Sequence, residues 1–289
     1  MLLHNWVFYI TLFITFHTAY TLLFRQISKE YPHHYRLVIS IIFIFLWLSG
    51  LVYELLTKAI SFKNILPALP FLLIGGFIFS YANVYGSKAM GRIDAAQHTI
   101  LSTLRVIVTV IGSSLLLREG LNTAQIVGAI LLLTSGVLSS FKITRRSFTI
   151  DRNSLFATFS AFLTGIAITN EKHILSFMNI QTYLIVGWGL QTISLLIVSI
   201  KDMKNIKVLV REKIFSKLVG AGILRGLSGV AFVSSLVYSN NSSLASVASS
   251  FIVISVVITA AILLKERDHL LRKVAASILA VVGLIIILY

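Results

Sequence analysis

The chain has 289 residues, of which 57% are hydrophobic and only 12% are charged, and it contains no cysteine. A soluble domain carries about 25% charged residues, so this composition excludes a soluble globular protein, and the missing cysteine excludes disulfides and thiolate metal sites. The formal net charge is +15, but no basic stretch carries the interleaved aromatic residues of an RNA-binding motif. We therefore attribute the charge to loops at a membrane surface and expect no nucleic-acid partner.

Ten segments are candidates for membrane spans, since a spanning helix needs about 20 mostly apolar residues. In chain order they are 6–24, 36–56, 66–90, 95–117, 121–140, 154–172, 180–200, 214–238, 242–264 and 269–289. They lack the apolar and polar alternation of membrane β-barrel strands. The sequence therefore predicts an all-α membrane protein with ten transmembrane helices. The first segment has no basic leader or cleavage site, so we expect a retained span and not a signal peptide.

The sequence also matches itself when it is shifted by 147 residues. The clearest match places LLLREGLNTAQIVGAILLLTSGVLSS, residues 115–140, on ILLKERDHLLRKVAASILAVVGLIII, residues 262–287. The shared charged elbow, with Glu119 aligned on Glu266, is harder to obtain by chance than the apolar identities around it. Each copy holds five spans, and because five is odd, the second copy enters the membrane from the opposite side.

Two inverted five-helix repeats are thus predicted, at residues 1–145 and 146–289. Two such halves, each ending in a span, an Arg/Lys-Glu pair and a span with a late glycine, resemble the EamA-type members of the drug/metabolite transporter superfamily. The resemblance implies a secondary transporter with its binding site near the midplane, between the halves. Related proteins often carry a proline in the fourth and ninth spans, where this chain has Val106 and Val253. The sequence therefore gives no reason to expect a kink in either span.

Basic residues are unequally divided between the two ends of the predicted bundle. Of the 25 Lys and Arg residues, 19 flank the first, third, fifth, seventh and ninth connections, four lie at the other connections, and two lie within spans. The positive-inside rule places the more basic end in the cytoplasm and both termini outside, whereas the resemblance implies termini inside. We expect a multi-pass protein of a cell membrane, in particular a bacterial inner membrane.

Two arginines lie near the centres of predicted spans, Arg105 in the fourth and Arg225 in the eighth. An unpaired arginine at this depth costs roughly 2.5–3.5 kcal/mol on insertion scales, so each must face a polar partner. The candidate carboxylates are predicted at span ends and not at mid-depth: Glu54, Glu119, Glu171 and Glu266. Two guanidiniums from opposite halves therefore predict a site for a carboxylate or phosphate, which each can bind through two parallel hydrogen bonds.

Helical spacing from the arginines and along the other spans selects further polar and aromatic side chains. The candidate substrate-binding residues are Arg105, Arg225, His98, His17, Tyr81, Tyr85, Ser102, Trp188 and Gln191. For the two histidines, a hydrogen-bonded interior position is an equal alternative. For Tyr81, Tyr85 and Trp188, packing or anchoring at the membrane interface is the alternative. We expect Glu119 and Glu266 to stabilise the start of the helix that follows each of them.

The sequence lacks the motifs of hydrolases, metalloproteases and nucleotide-binding enzymes, so we expect neither catalysis nor a cofactor. We predict a permease, monomeric or weakly dimeric, for a small anionic or amphoteric metabolite. The alternative is a flippase for a phosphate-linked lipid or polyprenyl-sugar carrier. A lipid-open cleft would favour the flippase, and a closed central cavity would favour the metabolite. The lack of a carboxylate at mid-depth favours exchange or facilitated transport over proton coupling.

Overall fold

The computed structural model describes residues 6–58, 61, 65–117, 123–144, 147–210, 214–239, 242–266 and 268–288. The helices of the first half are α1 (Trp6–Glu30), α2 (Tyr35–Thr57), α3 (Ile65–Met90), α4 (Ala95–Ser102), α5 (Arg105–Leu117) and α6 (Thr123–Ser140). Those of the second half are α7 (Arg152–Ile174), α8 (Ile180–Ser199), α9 (Ile206–Val210), α10 (Ile214–Tyr238), α11 (Ser242–Ser250), α12 (Ile252–Leu263) and α13 (Leu270–Leu288). A 3₁₀ helix, Ile200–Asn205, precedes α9.

One element between the halves is not helical. Strands β1 (Phe141–Thr144) and β2 (Ser147–Ile150) pair antiparallel, with Phe141 opposite Ile150. Both strands contain β-branched and aromatic residues, which favour extended backbone. The protein is thus nearly all helical, and this hairpin is the departure from the predicted all-α connection.

Eight helical segments among the described residues are long and apolar enough to cross a membrane by themselves. The two remaining predicted spans are α7, which is rich in small and hydroxylic residues, and the α11–α12 pair, whose apolar part is Val247–Leu263. The fold confirms a multi-pass, helical membrane protein with the predicted order of spans.

Two of the spans are interrupted, which corrects the expectation drawn from the missing prolines. The fourth span breaks between α4 and α5, and the ninth breaks at Phe251, between α11 and α12. At the first break the amide of Val106 donates to the carbonyl of Thr103, and at the second the amide of Ile254 donates to that of Phe251. Bonds to a carbonyl three residues earlier are those of a 3₁₀ turn, which tightens the helix and redirects it.

Hydroxyl groups provide a local cause for the first break. Ser102 Oγ donates to the carbonyl of Thr99 at 2.7 Å, and Thr103 Oγ1 donates to that of Ile100 at 2.7 Å. Side-chain hydroxyls that bond to backbone carbonyls within one turn often bend helices. A kink therefore does not require proline here, and the two breaks occupy matching places in the two repeats.

Helix packing follows the shift that relates the two repeats. Helix α1 packs on α10 and its counterpart α7 packs on α3, while α2 packs on α8 and α6 packs on α13. The largest apolar core lies among α1, α2, α3, α8 and α10. At the α6–α13 contact, a Cβ atom on Gly128 would lie 2.6 Å from the carbonyl oxygen of Gly283. Only glycine permits this approach, which makes α6 and α13 a close pair.

Ion pairs join the connections that the charge comparison placed at the more basic end. Arg25 pairs with Glu266, and Lys217 pairs with Glu30. At the opposite end, Lys172 Nζ donates to the carbonyl of Leu236 at 2.9 Å. Which of these two ends faces the cytoplasm stays a prediction.

Candidate substrate cavity

Two adjoining cavities lie at the centre of the bundle and are walled by helices of both repeats. They comprise about 540 and 790 Å³ of space, part of which is open to the surroundings. The first, which we call the aromatic cavity, is lined by Phe13, Leu46, Phe79, Arg105, Thr164, Ile168, Glu171, Tyr183, Trp188, Gln191, Arg225, Gly229, Phe232 and Val233. The second, the hydroxylic cavity, is lined by His17, Tyr20, Thr21, Phe24, Phe79, Asn83, Gly86, Ser87, Met90, His98, Thr99, Ser102, Arg105, Ala157, Ser160, Ala161, Thr164, Arg225 and Ile252.

Both arginines line both cavities, so they stand where the two meet. Arg105 is the first residue of α5, immediately after the break in the fourth span. Its Nη2 donates to Ser249 Oγ on α11 at 3.1 Å. Its buried Nε has no hydrogen-bond partner among the described residues. Helix α7 passes close by, since a Cβ atom on Gly165 would lie 2.6 Å from the carbonyl oxygen of Arg105.

Arg225 is held from the side of α1. Its Nη1 lies 3.1 Å from Nδ1 of His17, and the carbon of its guanidinium lies 5.4 Å from the centre of the Tyr20 ring. Because an arginine N–H can only donate, His17 Nδ1 accepts, and the imidazole is neutral with its proton on Nε2. The buried Nε of Arg225 also lacks a partner within the part of the chain that the structure describes.

A carboxylate shares the aromatic cavity with the arginines, because this cavity extends to the end of α7, where the sequence predicted Glu171 to lie. Glu171 is buried near the end of α7, lines the cavity and interacts electrostatically with Arg225. The hydroxyl of Tyr183 makes a hydrogen-bonding contact with Glu171 and accepts a hydrogen bond from Gln191 Nε2 at 3.2 Å. Exchange or facilitated transport, as opposed to proton coupling, stays a prediction.

The sequence placed Glu171 correctly at the end of its span, but the extent of the cavity toward that end was not predicted. Thr164, Ile168 and Glu171 follow each other at helical spacing on one face of α7, and all three line the aromatic cavity. This stripe was a readable signal. Other polar lining residues were also missed, among them Asn83, Ser160 and Tyr183.

Seven of the nine candidate residues line one or both cavities. Arg105 and Arg225 line both, His17, His98 and Ser102 line the hydroxylic cavity, and Trp188 and Gln191 line the aromatic cavity. The structure brings these side chains together, and their role in binding stays a prediction.

The two remaining candidates, both on α3, lie elsewhere. Tyr81 is 47% exposed, and Tyr85 packs against the rings of Phe156 and Phe159. Neither lines the two cavities, because α3 presents the neighbouring stripe of Phe79, Asn83 and Gly86 to the centre. The alternative given for these tyrosines, packing, describes the position of Tyr85.

A second group of buried charges closes the more basic end. Glu266 Oε1 accepts from Arg25 Nε at 2.7 Å, and its Oε2 accepts from the amide of Ala95 at 2.8 Å. Lys273 pairs with Asp94, which also lies 3.9 Å from Arg25. We call these four side chains, Arg25, Asp94, Glu266 and Lys273, the ion-pair cluster. Glu266 thus acts at the start of α4, not at the start of the helix that follows it, because the fold brings the two ends together; Glu119 lies outside the described residues.

A bundle of two inverted helical repeats around a polar central cavity is the architecture of a secondary transporter. Residues 4–141 and 152–289 each match the EamA-like transporter family, and the chain belongs to that family. The protein is therefore a membrane transporter of the drug/metabolite type, and because family members are transporters and not enzymes, the expectation of no catalysis is confirmed.

A solved crystal structure gives an independent comparison of the fold. It superposes with a TM-score of 0.61 over 93% of this chain and 94% of its own, at 14% sequence identity. At this identity the likeness shows the fold alone. No curated protein matches the sequence.

Proposed function

We propose that this transporter carries a small metabolite with a carboxylate or phosphate, and that Arg105 and Arg225 bind this anionic group. One observation carries the proposal: the arginines come from opposite repeats, share the junction of the two cavities, and each have a buried Nε without a partner among the described residues. Buried donors are normally satisfied, and a bidentate anion supplies the acceptors.

The charge of the cavities supports an anion even after Glu171 is included. The charged side chains among their lining residues are Arg105, Arg225 and Glu171, two positive and one negative. The lining therefore keeps an excess of at least one positive charge when its histidines are neutral, whether or not Glu171 is ionised. A substrate with a net negative charge would balance it, and opposite charges attract strongly where water is scarce.

Alternating access is the transport mechanism that this architecture supports. Each repeat contributes one arginine. Motion of one repeat relative to the other would therefore expose the bound anion first to one side of the membrane and then to the other. The ion-pair cluster holds α1, α4 and α13 together at the more basic end, and it would separate when that end opens.

A ligand screen on the purified protein tests the proposal. A ligand at one hundred times its Kd stabilises the folded state by about 2.7 kcal/mol, which a thermal-shift assay detects. We expect organic carboxylates or phosphates to stabilise the wild type and not the Arg225→Ala variant. Lys217→Ala is the matched control, because it removes an exposed positive charge outside the cavities.

Two results would count against the proposal. If no anion stabilises the wild type, or if the same anions stabilise Arg105→Ala and Arg225→Ala equally well, the arginines do not form the site. Stabilisation by phosphate-linked lipid carriers alone would replace the metabolite permease with the flippase.

A further inference from the structure

We infer that Glu171 is a specificity-determining residue that sets the charge pattern of the substrate. It favours a substrate that carries a cationic group beside its anionic group, and it disfavours a second negative charge. The inference rests on the proposed function, because the anion bound at the arginines places the rest of the substrate near Glu171.

The position of Glu171 differs from that of the arginines. Arg105 and Arg225 line both cavities, whereas Glu171 lines the aromatic cavity and not the hydroxylic one. The lining of the aromatic cavity thus contains charges of both signs, and no ion pair joins them among the described residues. A ligand anchored by its anion at the junction and extending into the aromatic cavity meets the Glu171 carboxylate at its other end.

Glu171 is held in place but is not neutralised by an ion pair. Tyr183 makes a hydrogen-bonding contact with it, and Gln191 in turn donates to the Tyr183 hydroxyl. Among the described residues, no Lys, Arg or His nitrogen lies within 4.0 Å of its oxygens. Because an unpaired buried charge is unfavourable, a cationic group of the substrate would be stabilised here.

Aromatic walls provide a second, independent reason to expect a cationic group. Five rings line the aromatic cavity: Phe13, Phe79, Tyr183, Trp188 and Phe232. The faces of aromatic rings attract ammonium groups, by about 0.5–2 kcal/mol according to how far the cation is desolvated. Gly229 leaves room for Trp188, since a Cβ atom there would lie 2.8 Å from Cζ2 of the indole. The aromatic rings and the Glu171 carboxylate line the same cavity, and both kinds of group attract a cation.

The same carboxylate works against a dianion. A second negative charge in the aromatic cavity would approach Glu171 in surroundings where like charges repel more strongly than in water. No carboxylate lines the hydroxylic cavity, and the two arginines are its charged lining residues when its histidines are neutral. Glu171 therefore selects through both attraction and repulsion, and specificity commonly combines the two.

Four probes with one ring and different charges test the inference. They are 4-methylbenzoate, a monoanion; 4-(aminomethyl)benzoate, a zwitterion; terephthalate, a dianion; and 4-methylbenzylamine, a cation. Calorimetric titration at pH 8 gives the Kd of each probe for the wild type, Glu171→Gln and Glu30→Gln. Glu30 is exposed and outside the cavities, so its variant controls for the loss of one negative charge.

For the wild type and for Glu30→Gln we expect the zwitterion to bind tightest and the dianion to bind more weakly than the monoanion. In Glu171→Gln the zwitterion should bind about tenfold more weakly or worse, since a hydrogen bond between charged groups is lost. The dianion should bind more tightly than it does to the wild type. Tyr183→Phe, which keeps the ring and removes the hydroxyl at Glu171, should give a smaller change in the same direction and serves if Glu171→Gln folds poorly.

Three outcomes separate this inference from the proposed function. If the monoanion binds but neither Glu171→Gln nor Tyr183→Phe changes the order of the probes, the role of Glu171 is overturned and the arginine site stands. If the cation alone binds, the arginine site and the inference both fail. A change of order in Glu171→Gln that Glu30→Gln shares would assign the effect to net charge and also overturn the inference.

Discussion

Buried arginines lie in two regions of this protein, and their hydrogen bonding differs between the two regions. In the ion-pair cluster, Arg25 Nε donates to Glu266 at 2.7 Å and its Nη1 donates to the carbonyl of Met90 at 2.6 Å. At the cavity junction, Arg105 and Arg225 donate to a hydroxyl and an imidazole, and each Nε has no partner among the described residues. In the ion-pair cluster, other protein groups accept hydrogen bonds from Arg25. At the cavity junction, one N–H donor of each arginine has no acceptor among the described residues.

This difference indicates different roles for the same side chain. A charge that the protein itself neutralises contributes to holding helices together, because removal of one partner leaves the other buried and unpaired. A charge that the protein leaves partly unpaired has a cost in stability without a ligand, and a ligand that supplies the acceptors recovers that cost on binding. The predictions below test this contrast.

The largest effect is expected on stability, from Glu266→Gln. This change removes the partner of Arg25 and weakens the acceptor of the Ala95 amide, and breaking a buried ion pair costs about 3–5 kcal/mol. Chemical or thermal unfolding in detergent measures it. Asp202→Asn, which disrupts an ion pair with Arg36 that is only partly buried, should cost less than about 1 kcal/mol. Equal stability of the two variants would show that the cluster is not structural.

A large effect on binding, with a smaller loss of stability than for Glu266→Gln, is expected from Arg225→Ala. A hydrogen bond to a charged group contributes about 1.5–3 kcal/mol, so the affinity for an anion should fall about ten- to a hundredfold. Arg225→Lys should recover part of the affinity, because it keeps the charge and loses the planar fork. Calorimetric titration of both variants measures the affinities, and full recovery by lysine would argue against bidentate binding.

The smallest effect is expected from Ser249→Ala. Ser249 accepts a hydrogen bond from Arg105 at 3.1 Å and so orients its guanidinium without being a predicted ligand. Loss of one such bond is worth about 0.5–1.5 kcal/mol, which corresponds to a change in anion affinity of about two- to tenfold. A loss as large as that of Arg105→Ala would mean that the serine itself contacts the substrate.

The parts of the fold that depend on local composition could be predicted from the sequence. Apolar runs of spanning length and the repeat at 147 residues gave the order of helices, and helical spacing from Arg105 led to His98 and Ser102 in the same cavity. These predictions succeed because hydropathy and periodicity are properties of a single segment.

Features that depend on contacts between segments could not be predicted. The stripe of Thr164, Ile168 and Glu171 can be read from the sequence, but only the packing of α7 against α3 and α5 shows that this stripe faces the cavity. Tyr81 and Tyr85 were misplaced because α3 has apolar and aromatic residues all round, so its pattern does not fix which face turns inward. The break at Thr103 was not predicted, because no proline marks it; the hydroxyl of Thr103 instead donates a hydrogen bond to the carbonyl of Ile100.

The measurement that tests the central claim most directly is a double-mutant cycle on Arg105 and Arg225. The dissociation constant of one anion and the unfolding free energy are measured for the wild type, both alanine variants and the double variant. If both arginines hold one anionic group, each single change weakens binding about ten- to a hundredfold, and the double change weakens it by less than the product, since residues that share a ligand are coupled. Unfolding free energies should change less than for Glu266→Gln, because neither arginine has an ion-pair partner within 4.0 Å among the described residues. Variants that lose stability but bind the anion normally when folded would contradict the account and make both arginines structural.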